Sequence, residues 1–549
     1  MKKLLLTIAI LLFAWPCWGA TVYVKETGGS IYYESGAASC DEVTDADTEG
    51  DLEAAAKAVT DAGAGGTLNI CAGTYTDAEL DADHSFEIAD TAVTINATGA
   101  TIISTDAAST VRVGANTTIN GGTWQGGAGQ IAYILRDSTI TFNDCTFSGG
   151  TGTYGIYGYA DAGNTISTIT IDGCTFSGAV EAINFTQGGT GVLHTVVVND
   201  CTFSGSVYGV RTYSVEAACG ANDSSPYNIQ VTDCIFTDTT KAAIQYQSGI
   251  KSTGGTSYIA RNGLTTIGNG TNSSVNGMQL QWCRGLIVED NVITTVENNG
   301  AGDGDGIILD FAYEKTDYLS DGCIIRRNKV TDCDSGTNNT SAGINIYYAV
   351  DSVVFGNICY ANDIGLRLSN DNSTGNVFYN NTCYNNTQMN VRIDDPGNDG
   401  APASTWANNI LSTSPYGIYV INNSTEPTIN YNCYYNHATQ DRWNATGSAT
   451  FAAGTGAVSS NPHFADAAND DFHIMPLSPC RDAGTDLGDD LLYGLEWLSR
   501  WTDLVLTLDQ DDYGPGWEIG AYVFSEIPSI GIHRIIDLKL DDLSNKIVQ

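Results

Sequence analysis

The sequence predicts an all-β solenoid, a fold in which short strands recur at a nearly constant spacing. Segments 140–147, 169–176, 196–203 and 229–236 share one pattern, an apolar run followed by a Cys and then a Phe. Asn replaces Cys further along, and successive slots lie 23 to 37 residues apart, mostly 27 to 29. The slot residues are Cys145, Cys174, Cys201, Cys234, Asn262, Asn291, Asn328, Asn357, Asn381, Asn409 and Asn432.

Apolar residues alternate with polar ones around each slot, which is typical of strands and not of helix pairs. About 28 residues per unit, with frequent Gly and Asn, favour a parallel β-helix of about a dozen coils. Leucine-rich repeats are the competing solenoid, but their regular Leu frame is absent. Inward Asn residues at a bend predict a side-chain ladder from coil to coil. Cys fits the slot as a small buried hydrophobe, while a metal or redox site and disulfides between stacked Cys stay open as alternatives.

With this frame, residues 65–525 resemble the bacterial secreted right-handed parallel β-helix proteins of the pectate-lyase-like superfamily. The resemblance implies a right-handed, single-stranded β-helix with a helical N-terminal cap and an irregular C-terminal cap. It is specific for the fold and not for an activity, because that superfamily includes polysaccharide lyases, glycoside hydrolases, epimerases and surface proteins.

The chain divides into five predicted segments. Residues 1–19 read as a signal peptide, with Lys2 and Lys3 before an apolar core. The N-terminal cap covers 20–64, the β-helix 65–435, the C-terminal capping segment 436–525 and a charged tail 526–549. Without another long apolar run, the mature chain has no predicted membrane span, and we expect it to be secreted or at the cell surface, outside the cell or in the periplasm.

Segment 51–62 is the one predicted helix, and with the strand that follows it resembles the capping helix and first coil of the superfamily. Cys40 and Cys71 flank it outside the coil frame, which predicts a disulfide between them. A second pairing, between Cys480 and Cys433, is also expected. The series of motifs from Asn461 to Tyr522 is predicted to fold over the last coil.

The formal net charge of −40 argues against nucleic-acid binding, which needs a cationic surface. The acidic surface of this chain also repels polyuronates, which are anionic, unless a cation lies between them. Acidic secreted chains often hold Ca²⁺ through carboxylates, although solubility alone also explains the charge.

The second strand of each coil offers the sharpest functional pattern. Its outward column is predicted to run from Tyr157 to Tyr419 and to collect Arg, Gln, Asn and Tyr, which suits an extracellular polysaccharide. The alternative is an ordinary solvated sheet face. The predicted substrate-binding residues in this column and the next outward one are Arg211, Tyr213, Gln279, Gln281, Asn345 and Tyr347.

The longest coil, from Asn291 to Asn328, contains an acidic and glycine-rich insertion. Asp303 and Asp305 are the predicted Ca²⁺ ligands, without a full EF-hand pattern. Two mechanisms stay open: a lyase with a Lys or Arg base, or a hydrolase with two carboxylates. The candidate catalytic residues are Asp310, Lys315, Arg367, Arg392 and Asp394.

The leading hypothesis is therefore an exported carbohydrate-active protein that binds and cleaves an extracellular polysaccharide, as a lyase or a glycoside hydrolase. The alternative is a non-catalytic surface, adhesion or structural protein. Near the C-terminus, aromatic residues from Trp443 to Trp517 are expected to plug the end of the core, with a sugar platform as the alternative. His463 and His473 are expected to be ordinary loop residues.

Overall fold

The computed structural model is a parallel β-helix whose coils stack into three long sheets, here named A, B and C. It describes residues 20–525 except 28–29, 45–46, 62–64, 78–83, 89–90, 105–108, 127–128, 136–137, 150–153, 161–164, 188–191, 215–227, 248–256, 269–274, 299–301, 311–318, 337–339, 371, 395–403, 422–425, 492, 497–498 and 500–504. Within that part, sheet A has 17 strands and sheets B and C have 14 each, in agreement with the predicted all-β fold of about a dozen coils. The predicted signal peptide and the 526–549 tail lie outside the described residues.

From Gly66–Ile70 onward, each coil contributes one strand to each sheet, in the order A, B, C. The three earlier strands of sheet A lie in the N-terminal cap, and Ser30–Ser35 is antiparallel to both of its neighbours. Sheet A consists of Thr48–Gly50, Ser30–Ser35, Thr21–Thr27, Gly66–Ile70, Val93–Asn96, Thr117–Asn120, Ser138–Asn143, Thr165–Asp172, Val192–Asn199, Asn228–Thr232, Tyr258–Ala260, Ile287–Glu289, Ile324–Arg326, Val353–Phe355, Asn376–Tyr379, Ser404–Ala407 and Thr428–Asn430. Sheet B consists of Gly73–Asp77, Ala100–Ser104, Thr123–Gly126, Thr146–Gly149, Thr175–Ser177, Thr202–Ser204, Ile235–Thr237, Gly263–Ile267, Val292–Glu297, Lys329–Asp334, Ile358–Tyr360, Thr382–Tyr384, Ile410–Ser412 and Cys433–Tyr435. Sheet C consists of His84–Ile88, Ser109–Val113, Gln130–Ile134, Tyr154–Ala160, Glu181–Gln187, Tyr208–Ser214, Ala242–Gln247, Val275–Gln281, Gly304–Asp310, Ala342–Tyr347, Ile364–Ser369, Met389–Asp394, Tyr416–Ile421 and Gln440–Asn444.

The remaining elements are short. The strand pairs are Ser320–Asp321 with Ala349–Val350, Phe464–Asp466 with Asp471–Ile474, and Tyr493–Leu495 with Thr507–Asp509. Three 3₁₀ helices span Ala467–Asn469, Asp489–Leu491 and Gln510–Asp512.

The Asn slot forms the predicted ladder in the bend between sheets A and B. From Asn262 to Asn432, each slot Asn donates from Nδ2 to Oδ1 of the next slot residue at 2.9 to 3.0 Å. The same Oδ1 also accepts the backbone N–H of the preceding slot residue, as in Asn328 N to Asn357 Oδ1 at 2.9 Å. Because each amide satisfies buried backbone groups at the bend, the slot selects Asn for structural reasons.

Cys occupies the slot in the earlier coils, where its sulfur is a weaker acceptor for the same backbone N–H group. The backbone N–H groups of Cys145 and Cys174 each lie 3.4 Å from the sulfur of the next slot Cys. The stacked Cys are buried and free, so the disulfides left open by the sequence do not form among them. On sheet B, the Phe that follows each Cys also stacks from coil to coil: Phe147, Phe176, Phe203 and Phe236 have ring centroids 4.5 to 4.9 Å apart.

The predicted helix, α1, spans Leu52–Asp61 and covers the N-terminal end of the core. Asp51 begins it as an N-cap, accepting the backbone N–H of Ala54 through Oδ1 at 2.7 Å. Its apolar face, including Leu52 and Val59, is fully buried against the first coils. The predicted disulfide between Cys40 and Cys71 is present.

Two expectations for the C-terminal region were wrong. Cys433 and Cys480 are both free, although their thiols are neighbours. The described part of residues 459–525 does not cap the end of the β-helix; it runs along the outer face of sheet B, from Cys433 in the last coil to Ile358 and Tyr360 in earlier coils. The physical reason is that sheet B carries apolar side chains on its outer face in these coils, and these side chains are buried by the C-terminal segment. The end itself is closed by the shorter stretch around Phe451, which joins the main core.

No helix among the described residues is long and apolar enough to cross a membrane.

Candidate functional site

The column predicted on the second strand of each coil exists, on sheet C, but two of its polar members, Asn184 and the predicted substrate-binding residue Asn345, are buried. Neighbouring strands place its members side by side in the predicted order. Tyr133 precedes the column and Trp443 follows it in the same register. The full series is Tyr133, Tyr157, Asn184, Arg211, Gln245, Gln279, Ile308, Asn345, Arg367, Arg392, Tyr419 and Trp443. Aromatic side chains therefore stand at both ends of a mainly polar row.

A chain of hydrogen bonds fixes the first half of this row. Arg211 donates to Glu181 Oε1 at 2.6 Å and to Gln245 Oε1 at 2.7 Å. Gln245 Nε2 then donates to Gln279 Oε1 at 2.9 Å, and Gln279 Nε2 donates to Asp310 Oδ2 at 3.2 Å. Since each donor is directed along the column, the side-chain orientations are set before any ligand arrives.

The second half is a compact cluster of carboxylates and guanidinium groups. Arg367 donates from Nη1 to Asp303 Oδ2 at 2.9 Å and from Nη2 to Asp394 Oδ2 at 3.1 Å. Arg392 Nη2 lies 2.9 Å from the same oxygen of Asp394, and Ser369 Oγ donates to Asp394 Oδ1 at 2.7 Å. Three of the predicted catalytic residues and one predicted metal ligand thus meet around one guanidinium group.

The carboxylates and guanidinium groups of this cluster stabilise one another in their charged forms. Burial pushes the pKa of Asp394 upward, but Arg367 and Arg392 outweigh it, so the pKa lies below its ordinary value. Burial lowers the pKa of Arg367, and the charges of Asp394 and Asp303 more than reverse this effect. Arg367 is therefore held as a cation by its two carboxylate partners, and its catalytic role stays a prediction.

Asp305 lies beneath this cluster, fully buried. Its Oδ1 accepts the backbone N–H of Ala342 at 2.7 Å and its Oδ2 accepts Asn345 Nδ2 at 2.9 Å. Burial raises its pKa to about 7, with a further contribution from the charge of Asp303 and an opposing one from Arg367. Asp305 is therefore a support for Asn345 and a group that titrates near neutral pH.

The predicted calcium ligands are committed to internal partners. Both oxygens of Asp305 accept hydrogen bonds, and Asp303 bonds Arg367 through Oδ2 and Thr340 through Oδ1. Within the described ranges, no three His, Cys, Asp or Glu side chains form a group that could hold a metal. A cation at Asp303 would have to displace Arg367, and calcium at this position stays a prediction.

Other predicted residues are placed less fully. Lys315 lies outside the described residues, and of Tyr213 only the backbone, in strand Tyr208–Ser214, is described. Gln281 Nε2 donates to Asp310 Oδ2 at 3.4 Å, beside Gln279. Tyr347 packs edge-on against Tyr348 with ring centroids 4.6 Å apart, and burial raises the pKa of Tyr347.

Asp310 ends strand Gly304–Asp310, and its Oδ2 accepts hydrogen bonds from Gln279 and Gln281 in the first half of the row. The Cα atoms of Asp303 and Asp310 are roughly 23 Å apart along the extended chain. Glycosidase carboxylates act at about 5 to 9.5 Å. Asp303 and Asp394 bond two nitrogens of one guanidinium group and fall within about 8 Å of each other.

Glu181 is the main functional residue that sequence reasoning missed. Strict alternation assigns it to the same inward side as Ile183, but Ala182 and Ile183 are both fully buried. The alternation is interrupted there, so Glu181 reaches Arg211 on the outer face. The only sequence signal is the small residue that repeats at this position, Gly155, Ala182 and Gly209.

The three stacked parallel sheets define the protein as a parallel β-helix, the fold that its resemblance predicted. Residues 220–407, about a third of the chain, match the family described as periplasmic copper-binding protein (NosD). No curated protein sequence matches the chain.

Several solved structures are similar in fold. Pectate lyase Pel9A is 12% identical with a TM-score of 0.29, over 86% of this chain and 90% of that one. The A-module of the Azotobacter vinelandii mannuronan C-5 epimerase AlgE6 is 14% identical with a TM-score of 0.33, over 75% and 94%. The Dettilon tailspike protein is 14% identical with a TM-score of 0.34, over 69% of this chain and 65% of its own length. At such identities the likeness concerns the fold alone.

The residues of the matched segment do not fit copper. Segment 220–407 contains no His, the commonest ligand for copper in proteins. Its described Cys residues and Met278 are buried in the core. No step is therefore assigned to copper.

Proposed function

We propose that the protein is exported and binds a neutral polysaccharide along the outer face of sheet C. The in-register polar column with aromatic residues at both ends carries this proposal. From Tyr157 to Tyr419 it crosses ten strands, a span of roughly 43 Å at the spacing of neighbouring strands. Such a row suits an extended polymer better than a small ligand, and its aromatic ends supply flat surfaces for sugar rings.

The pairing of the arginines supports a neutral ligand. Arg211 is held by Glu181, and Arg367 and Arg392 are both held by Asp394. A carboxylated sugar would have to compete with these internal carboxylates on a chain of net charge −40. The amides of Gln245 and Gln279 keep further donor and acceptor capacity for sugar hydroxyl groups beyond their hydrogen bonds along the column.

Cleavage of the bound polymer is a second candidate function, favoured by the compact carboxylate cluster. Hydrolysis is favoured because Asp303 and Asp394 lie within about 8 Å of each other, whereas the raised pKa of Arg367 weakens this residue as a base for β-elimination. Asp303, with 38% of its side chain exposed, is the carboxylate of the cluster that a sugar can reach. Arg367 and the buried Asp394 would hold it in position.

Export is part of the same proposal. The predicted signal peptide and the match to a family described as periplasmic both support a location in the periplasm or outside the cell. Cell fractionation with the full chain tests it: the mature protein is expected to lack residues 1–19 in its N-terminal sequence. Recovery of uncleaved protein in the cytoplasm would contradict export.

Binding is tested by affinity electrophoresis against neutral and polyuronic polysaccharides. Tyr157→Ala and Tyr419→Ala are each expected to weaken binding to the recognised neutral polymer roughly 3- to 10-fold, about 1 kcal/mol for one lost stacking contact. Gln230→Ala, an exposed change on the outer face of sheet A, is the matched control. Equal loss with the control, or tighter binding to polyuronates, would contradict the proposed face or ligand class.

Cleavage is tested on whichever polymer binds, with calcium and with chelator. New reducing ends that disappear in Asp303→Asn, without an ultraviolet-absorbing unsaturated product, are expected for hydrolysis. An unsaturated product would instead establish a lyase. Binding without either product would favour the non-catalytic alternative, and a chelator effect on polymer binding that is lost in Asp303→Asn would support the predicted calcium ion.

A further inference from the structure

Three tyrosines form an aromatic group at the N-terminal end of the sheet C column. The rings of Tyr133 and Tyr157 stack from neighbouring strands with centroids 5.7 Å apart, and the ring of Tyr154 lies 5.1 Å from that of Tyr157. All three residues are half-buried, so part of each is in contact with solvent. Arg112 lies next to Tyr133, with its Cζ 5.5 Å from the ring centroid, and this cation–π contact helps to fix the group.

A second aromatic group stands at the C-terminal end of the same column. Tyr416 and Tyr419 pack edge-on with ring centroids 4.8 Å apart, and Trp443 follows Tyr419 in register on the next strand. These residues are also half-buried. Several rings in one place offer more apolar surface to a sugar than a single side chain does. The two groups are separated by roughly 43 Å between Tyr157 and Tyr419, at the spacing of neighbouring strands.

The part of the column between these two groups contains no aromatic residue. It consists of Asn184, Arg211, Gln245, Gln279, Ile308, Asn345, Arg367 and Arg392. Asn184 and Asn345 are 2% and 3% exposed, and their side-chain nitrogens donate to Glu181 and Asp305. The arginines of this part are all bonded to carboxylates. Much of the hydrogen-bonding capacity between the groups is thus used within the protein, which leaves the aromatic ends as the main contacts for sugar rings.

The sheet fixes the distance between the two aromatic groups. The strands of sheet C from Gln130–Ile134 to Gln440–Asn444 are paired in parallel, each with the next. A polymer chain that is bound at one group keeps its further sugar units close to the scaffold, so its contact with the other group is intramolecular. Such a second contact increases affinity only when the chain is long enough to span both groups.

We propose that the two aromatic groups bind a single polysaccharide chain together, so that the protein selects its ligand by length. The inference rests on the proposed function and adds a length threshold to it. Chains whose extended length exceeds about 43 Å contact both groups, and shorter chains contact only one. The ligand is therefore a long, unbroken stretch of polymer, and short oligosaccharides of the same composition compete poorly with it.

The test uses size-fractionated fragments of the neutral polysaccharide that the full chain retains in affinity electrophoresis. Each fraction is labelled at its reducing end and titrated with the protein, and binding is followed by fluorescence anisotropy. Affinity is expected to change little among short fragments and to rise at least about tenfold once the fragments extend beyond about 43 Å. A rise only in proportion to fragment length would overturn the proposal, because it reflects the number of equivalent binding positions. If no fragment of any size binds, the proposed function fails as well, whereas equal binding of short and long fragments overturns the length threshold alone.

Variants at the two ends show whether both groups are needed. Tyr157→Ala and Tyr419→Ala should each lower the ratio of long-fragment to short-fragment affinity at least about threefold, since either change weakens one of the two contacts. Tyr419→Phe keeps the ring and should keep the ratio, as should Gln230→Ala on sheet A. A folding defect lowers the binding of long and short fragments alike and does not change this ratio. A ratio that persists in both alanine variants would overturn the proposal.

Discussion

At the scale of single residues, Asp305 makes the stability of the protein depend on pH. Its pKa of about 7 in the folded state lies above the ordinary Asp value, so the folded state binds the extra proton. The stabilisation is complete below about pH 4 and is lost as the pH rises through about 7.

Asp305→Asn should therefore flatten the pH dependence of the unfolding free energy between pH 5 and 8. The measurement is urea denaturation at each pH. Glu518, with a raised pKa, contributes a slope of the same sign, so a residual slope is expected in this variant. Asp489→Asn is the control, and an unchanged slope in Asp305→Asn would show that Asp305 is ionised throughout.

Arg367 shows how burial changes the value of an ion pair. Arg367→Met leaves the buried Asp394 with fewer partners and is expected to cost about 3 to 5 kcal/mol of unfolding free energy. Arg261→Met is the matched control, because Arg261 and Asp233 form a well-aligned pair that is 38% and 42% exposed. That control should cost about 1 kcal/mol or less in the same denaturation experiment. Equal costs would mean that the cluster is hydrated and open.

At the scale of an element, the Asn ladder is the part of the fold that most constrains the sequence. Asn357→Ala removes Oδ1, the acceptor for both Asn328 N and Asn328 Nδ2, and leaves buried donors unsatisfied. The expected cost is about 2 to 4 kcal/mol. Asn357→Cys should cost less, because the earlier coils use sulfur as the acceptor in the same slot. Chemical denaturation measures the unfolding free energy of both variants. Equal losses of unfolding free energy would contradict a role for the side-chain acceptor.

The sequence predicts a contact well when the coil repeat sets it, and poorly when an irregular loop or a break in the strand pattern sets it. The order of the sheet C column could be read directly, because stacking places equivalent residues side by side. The contact between Arg367 and Asp303 joins residues 64 apart in sequence through a loop of irregular length, and no periodicity reports it. Glu181 was hidden for another reason, the local break in alternation at Ala182.

At the scale of the whole molecule, we expect the C-terminal cover of sheet B to open separately from the solenoid. The coil frame ends near Cys433, so periodicity does not report where the following segment lies, and the predicted position over the last coil was wrong. The apolar contacts of that segment, such as Phe472 with Tyr360 at 5.1 Å between ring centroids, form a cluster separate from the main core. Separate clusters allow one layer to open while the other stays folded.

Phe472→Ala should loosen this cover without unfolding the β-helix. Loss of a buried aromatic side chain costs about 3 to 5 kcal/mol, and here the cost falls on the docking of residues 459–525. Hydrogen exchange is expected to accelerate in that segment while amides of sheet C keep their protection. Met475→Ala, at a side chain already 47% exposed, is the control. If exchange accelerated equally in sheet C, the cover and the solenoid would be one cooperative unit, and the face proposed to bind polysaccharide would depend on the C-terminal segment for its shape.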